Sequence, residues 1–155
     1  DSLTIDPRDP MAFKRGAGGD KRGRGVGEDG RPFIGHNIKS YIADLERERV
    51  TVWDGVRNPL ALRHMRAMQL GDRVLVYHSG TERAIVGLGI VARTAYAAPD
   101  GSTVVDIAYV DRLARPVFLA AIKDEQGLAG WDLVRLPRLS VMPVPDEAWE
   151  FVTKR

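Results

Sequence analysis

The stretch "TVWDGVRNPLALRHM", Thr51 to Met65, gathers residues that could meet a ligand. Trp53 offers a flat apolar face with one N–H donor. Asp54-Gly55 makes a sharp turn. Asn58-Pro59 then starts a helix whose first N–H groups lack partners within the helix. Arg57 and Asn58 add hydrogen-bonding groups. A purine or pyrimidine ring asks for such a set, a stacking face with donors and acceptors for its edge. The same residues also fit a plain junction, with Trp53 in the core, Asn58 capping and Arg57 paired with a carboxylate. Spacing alone leaves both readings open.

Other chemistry is less well supported. His78 and Ser79 are neighbours on a strand and point to opposite faces, so they are poorly placed to act on one another, and no GxSxG elbow exists. His36, His64 and His78 lack the spacing of metal ligands. The carboxylates are scattered among arginines, and Asp106 and Asp111 suit surface pairs. Gly87-Leu88-Gly89 lies inside a strand pattern, and "GAGGDKRG" completes no phosphate-binding motif. No metal and no cofactor are expected.

The elements that must position these residues can be read from periodicity and caps. The spacing predicts a helix from Tyr41 to about Arg49, capped by Ser40, with Ile42 and Leu45 inward. A second helix is capped by Asn58, with Ala61, Leu62, Met65 and Met68 inward, Arg63 and Arg66 outward, and Gly71 as its stop. "RVLVYH" (Arg73 to His78) reads as a strand, "SGTE" as a turn and "AIVGLGIVARTAY" as a longer strand. Gly87 and Gly89 in that strand indicate a bulge or a close backbone approach. "APDG" turns and "STVVDIAYV" returns. Pro116 precedes a short helix "VFLAAIKDE", a loop carries Trp131, "LSVMPV" is an edge strand with Pro143, and "DEAWEFVTK" is a helix with acids in its first turn. Short strands with helices around them give an α+β domain built on a small curved sheet or barrel.

Composition sets the outer limits. One domain fits 155 residues, and 44% hydrophobic content is enough for a core. The absence of cysteine excludes disulfides and thiolate metal sites. No apolar run reaches the ~18 residues of a membrane span. A formal charge of +2 permits nucleic acid without demanding it. No signal peptide is evident and a cytoplasmic setting is expected. Residues 1–36 form a Gly/Arg-rich segment holding seven of the sixteen glycines before Ile34. It has little apolar content, so it is expected to be flexible or atypical, with the domain proper at 37–155.

"VWDGVRNPLALRHMRAMQLGDRVLVYHS" resembles the signature region of EVE domains, with further matches in "IVGLGIVARTAY", "VDIAYVDRLARPVFLAAIK" and "LVRLPRLSVMPVPDEAWEFV". The likeness runs from about Tyr41 to Phe151. It implies a PUA-like fold, a small mixed β-barrel surrounded by helices, related to YTH and ASCH domains. It implies binding without catalysis, of a flipped and modified base, such as a methylated one, in an aromatic-walled pocket. Carried over, Trp53, Gly55, Val56 and Asn58 would form one wall and Tyr77, His78 and Ser79 another. Arg57, Arg63, Arg138, Leu139 and Ser140 would reach phosphates or pin the loop at the mouth.

One departure matters. The strand that opens the family, an aromatic-Trp pair followed by Lys-Ser-Glu-Pro, has no match here. Either a segment such as "RPFIGHNI" substitutes, or the sequence is altered there by a frameshift or misassignment; a real loss of the strand would open the pocket and impair base binding. The expected partner is DNA or RNA with a modified base, bound by a monomer away from any membrane. A general RNA-binding module and a small hydrolase using His78 or Ser79 are the rival readings.

Overall fold

The computed structural model describes residues 32–35, 42–79, 82–136 and 138–154. Six strands form one mixed sheet: β1 (Phe33–Gly35), β2 (Val50–Trp53), β3 (Arg73–His78), β4 (Ala84–Ala97), β5 (Thr103–Phe118) and β6 (Val141–Pro143). Their order is β2-β5-β4-β3-β1-β6. Every neighbouring pair is antiparallel except β1 with β3. The helices are α1 (Ile42–Glu48), α2 (Pro59–Ala67), α3 (Leu119–Asp124), α4 (Asp132–Arg135) and α5 (Asp146–Thr153), with a 3-10 turn at Gln126–Leu128. This is the expected α+β architecture, although the hydrogen-bonded sheet is not closed: β2 and β6 stand at its two ends.

The sheet curls instead, and side chains bring its ends together. Trp53 lies at the end of β2, yet it packs against Gly35 of β1, four places away in strand order. A Cβ on Gly35 would stand 2.5 Å from Trp53 Cζ3 and 2.9 Å from the Ser140 carbonyl oxygen. The indole is 2% exposed. An aromatic side chain that buries 150–250 Å² contributes roughly 4–6 kcal/mol at about 25 cal/mol per Å².

Bulges supply the curvature. Along β4 and β5 the register shifts four times. Gly89 lies at one shift, where a Cβ would meet the Ala108 carbonyl oxygen at 2.7 Å. At Gly87 a Cβ would collide with the side chain of Ile42, so α1 lies directly on the strand there. Gly87 pairs with Arg112 and Ile85 with Val117, so residues 113–116 of β5 stand opposite the single residue Val86. Pro116 sits in that excursion. The expected helix start after Pro116 is therefore corrected: the strand continues to Phe118 and α3 begins at Leu119. A proline needs no ladder partner where the strand has left its neighbour.

Caps and turns set the other boundaries. The Asn58 carboxamide oxygen accepts from the N–H groups of Leu60 and Ala61 at 2.8 and 3.1 Å. Ala61, Met65 and Met68 are buried as expected, while Leu62 is half-buried. Gly71 is not the helix stop. Backbone at Met68 is already extended (φ −63°, ψ 137°), and Gly71, at φ +85°, instead turns the chain into β3. At the other end of the domain, Arg73 stacks over the Trp149 ring at 4.5 Å and ties α5 to β3. The Ser40 cap, Tyr41, the Gly80-Thr81 part of the "SGTE" turn and the segment before Pro32 lie outside the described residues.

Asp72 completes the turn after α2. Its Oδ2 accepts from Gln69 N–H at 2.8 Å, and its carbonyl accepts from Val91 N–H at 2.9 Å. Its Oδ1 is buried with no partner among the described residues. Burial raises this carboxyl to about 6, against the opposing pull of the Gln69 N–H and the Arg73 charge.

Two outcomes follow from these contacts. Gly35→Ala should cost about 1–3 kcal/mol in denaturant unfolding, because the indole and a backbone carbonyl leave no room. Gly127→Ala, with nothing within 4 Å of its Cβ, should change stability by less than about 0.5 kcal/mol. Equal effects would refute the close approach. For Asp72, the native state binds a proton between about pH 4 and 6 that the unfolded chain has released, so stability falls as pH rises through this range. Wild type should lose roughly 2–3 kcal/mol relative to Asp72→Asn between pH 4 and 7. Parallel pH–stability curves for the two proteins would rule this out.

Candidate functional site

A cavity of about 260 Å³ lies where β1, β3 and β6 meet α3. Its apolar lining is Ile34, Leu119, Leu133, Leu139 and Met142, and its polar lining is Tyr77, Ser79, Ser140, Arg83 and Lys123, with Gly35 between. The volume lies just below the 300–1,000 Å³ of pockets for drug-sized ligands. It suits one heterocycle better than a larger molecule.

Strand β1 organises this site. It has three residues, all buried, and it bridges β3 and β6: Ile34 pairs with Leu75 on one side and Met142 on the other. Ile34 and Met142 are thus directly opposed, and both face the cavity. Within the "RPFIGHNI" stretch, Phe33–Gly35 form a strand that pairs with β3 and β6. Those residues stand ahead of the expected boundary at 36/37.

Period-two alternation sorts the end of β3. Tyr77 and Ser79 line the cavity. His78 turns to a separate groove shared with Ile42 and Glu82. Its Nε2 accepts from Ile42 N–H at 2.9 Å, so the ring proton sits on Nδ1, 2.5 Å from Glu82 Oε1. This histidine anchors α1 to the sheet. The Tyr77 hydroxyl is pushed up by burial, partly offset by the nearby Arg83 charge.

The expected site residues divide accordingly. Tyr77, Ser79, Leu139 and Ser140 come together at the cavity, with exposed Arg138 next in sequence. Trp53 is not among the lining residues; it packs against Gly35, which does line the cavity. Gly55, Val56, Arg57, Asn58 and Arg63 do not line this cavity either. Gly55 takes the turn with φ +76°. The Asn58 carboxamide oxygen is occupied by capping. Arg57 and Arg63 are exposed and make no ion pair among the described residues, and Val56 is half-buried against the core. His64, beside Arg63, has its Nε2 buried without a partner among the described residues, and burial lowers its proton affinity although the Asp132 carboxylate opposes this.

Sequence reasoning missed Ile34, Gly35, Arg83, Leu119, Lys123, Leu133 and Met142. One signal was available: Leu119 and Lys123 are four apart in a short amphipathic helix and must share a face. Arg83 has left-handed backbone, φ +49°, which nothing in a single sequence announces for an arginine.

Comparison with known proteins agrees with this architecture. The sequence profile of the EVE domain family matches residues 34–155. Human thymocyte nuclear protein 1 is 30% identical over 149 residues, covering 76% of this chain and 65% of that protein; the chain thus spans under two thirds of its relative's length. The solution structure of Rpa0253 from Rhodopseudomonas palustris is 36% identical, with TM-score 0.72 over 80% of this chain and 91% of that one. The human THYN1 protein, crystallised in complex with DNA containing 5-methylcytosine, is 26% identical, with TM-score 0.72 over 80% of this chain and 96% of that one. The match starts inside β1 and runs through α5 to the end of the chain, so this protein belongs to the EVE domain family.

Proposed function

We propose that this chain is a non-catalytic nucleic-acid-binding domain that holds one modified base, such as 5-methylcytosine, in the cavity beside β1. A single observation carries the reading. A hollow of about 260 Å³, part apolar and part polar, lies in a fold shared with a protein crystallised on 5-methylcytosine DNA. In this reading the Tyr77 ring forms the aromatic wall, and the Ser79 and Ser140 hydroxyls read the base edge. Ile34, Leu139 and Met142 pack the methyl group. Trp53 acts from behind by keeping Gly35 in place. The exposed cations Arg57, Arg63 and Arg138 attract the nucleic-acid backbone outside the cavity.

The energetics bound what such a site can achieve. A buried methyl is worth ~0.8 kcal/mol, about fourfold in affinity. Flipping a base costs a few kcal/mol, less from single strands or mismatches. Phosphate contacts must offset that cost, so binding should weaken as salt rises.

Fluorescence anisotropy with matched oligonucleotides, carrying cytosine or 5-methylcytosine at one position, tests the reading. The methylated strand should bind about fourfold tighter or more. Ser79→Ala should weaken its binding by about two- to tenfold with the fold intact. Equal affinity for the two strands would favour a general RNA- or DNA-binding module instead.

A further inference from the structure

Ser79 is exposed and follows the last ladder pair of β3, His78 with Ala84, so the sheet stops short of the hydroxyl that lines the cavity. Its direction depends on the connection that starts there. Two contacts hold the described ends of that connection. At the far end the Arg83 carbonyl accepts from Leu119 N–H at 2.8 Å. At the near end His78 and Glu82, four apart in sequence, close on one another, with Nδ1 2.5 Å from Oε1. The ring is held on its other side as well. Its Nε2 accepts at 2.9 Å from the N–H of Ile42, the first residue of α1. Ile42 is itself fixed, buried with its side chain over Gly87. An imidazole that accepts at Nε2 must carry its proton on Nδ1, and an acceptor opposite Nδ1 selects that tautomer. Glu82 supplies this acceptor. Its side chain is 46% exposed, so its part is directional and adds little to the core.

We infer that Glu82 is a positioning residue of the cavity: by orienting His78 between itself and α1, it fixes the start of the β3–β4 connection and so aims Ser79 at the bound base. Glu82 and His78 face the groove on the other side of β3 and act only through Ser79. The aim at a base rests on the base-holding reading; the coupling of Glu82 to Ser79 does not.

A double-mutant cycle between Glu82 and Ser79 separates this role from a general structural one. Binding of an oligonucleotide with one 5-methylcytosine is followed by fluorescence anisotropy, and thermal unfolding establishes that each variant is folded. Glu82→Ala should weaken binding about three- to tenfold in the wild-type background, and less than about twofold beside Ser79→Ala. Glu82→Gln, whose carboxamide oxygen can accept from Nδ1–H, should bind within about twofold of wild type. Glu82→Asp, one methylene shorter, repeats the cycle should Glu82→Ala unfold. Nitrogen NMR spectra of the imidazole should show Nε2 unprotonated in wild type and in Glu82→Gln. Equal losses from Glu82→Ala in both backgrounds, or no loss in either, overturn the positioning role and leave base holding in place. A protonated Nε2 in wild type does the same. Unchanged binding in Ser79→Ala overturns both the base-edge reading and the positioning role. Equal binding of cytosine and 5-methylcytosine strands by wild type overturns recognition of the modification, while the coupling, if kept, upholds the positioning role.

Discussion

Trp53 is placed at the end of β2, at one margin of the sheet, and its indole rests on Gly35 near the other margin. The contact requires that the sheet curl, that residue 35 carry no side chain and that the Ser140 carbonyl lie close by. Each requirement is met by a different part of the chain. Shifted registers in β4 and β5 provide the bend. The three-residue β1 inserts its glycine between β3 and β6. The loop before β6 brings Leu139 and Ser140 in beside it. The fold can thus be described as a sheet whose open ends are fastened by one aromatic side chain instead of by a ladder of hydrogen bonds.

The cavity follows from that fastening. Because Trp53 fills the space against Gly35, that residue faces the hollow with an aromatic support beside it. Small residues there leave a recess that larger ones would fill. Around it, neighbouring positions of one strand have been given different work. Tyr77 and Ser79 face the hollow, whereas His78 on the opposite side spends both ring nitrogens on fixing α1 and engaging Glu82. A histidine and a serine adjacent in sequence are thereby kept apart.

Burial of polar groups shows where the molecule gives up stability for shape. The Asp72 carboxyl holds the turn that brings α2 into β3, but one of its oxygens is buried and unpaired among the described residues. Placing a carboxylate there costs free energy near neutral pH. Nearer the surface, the Tyr109 hydroxyl and Arg112 share the Glu46 carboxylate at 3.0 and 3.2 Å and bridge α1 to β5. The Tyr109 and Arg112 contacts hold that acid below its ordinary range.

Much of this could be read from the chain alone. The Asn58-Pro59 helix start, the strand Arg73–His78, the two glycines at a bulge and a close approach, the edge strand with Pro143 and the acidic start of the last helix all rest on neighbours in sequence. Caps, alternation and turn chemistry act over a few residues, so the pattern is visible without the fold. The family resemblance belongs to the same legible part, since its motifs occur in order along the chain. Tertiary structure decided the rest. Three residues, Phe33–Gly35, are too few to show periodicity, and they become a strand only because β3 and β6 lie on either side. The bulge that keeps Pro116 inside β5 depends on pairing with β4 and not on the proline itself. Whether Trp53 meets a ligand or a glycine depended on how far the sheet curls. The cavity lining extends from Ile34 to Met142; contacts between residues so distant in sequence leave no periodic mark in it, because they are set by packing rather than by local backbone preference.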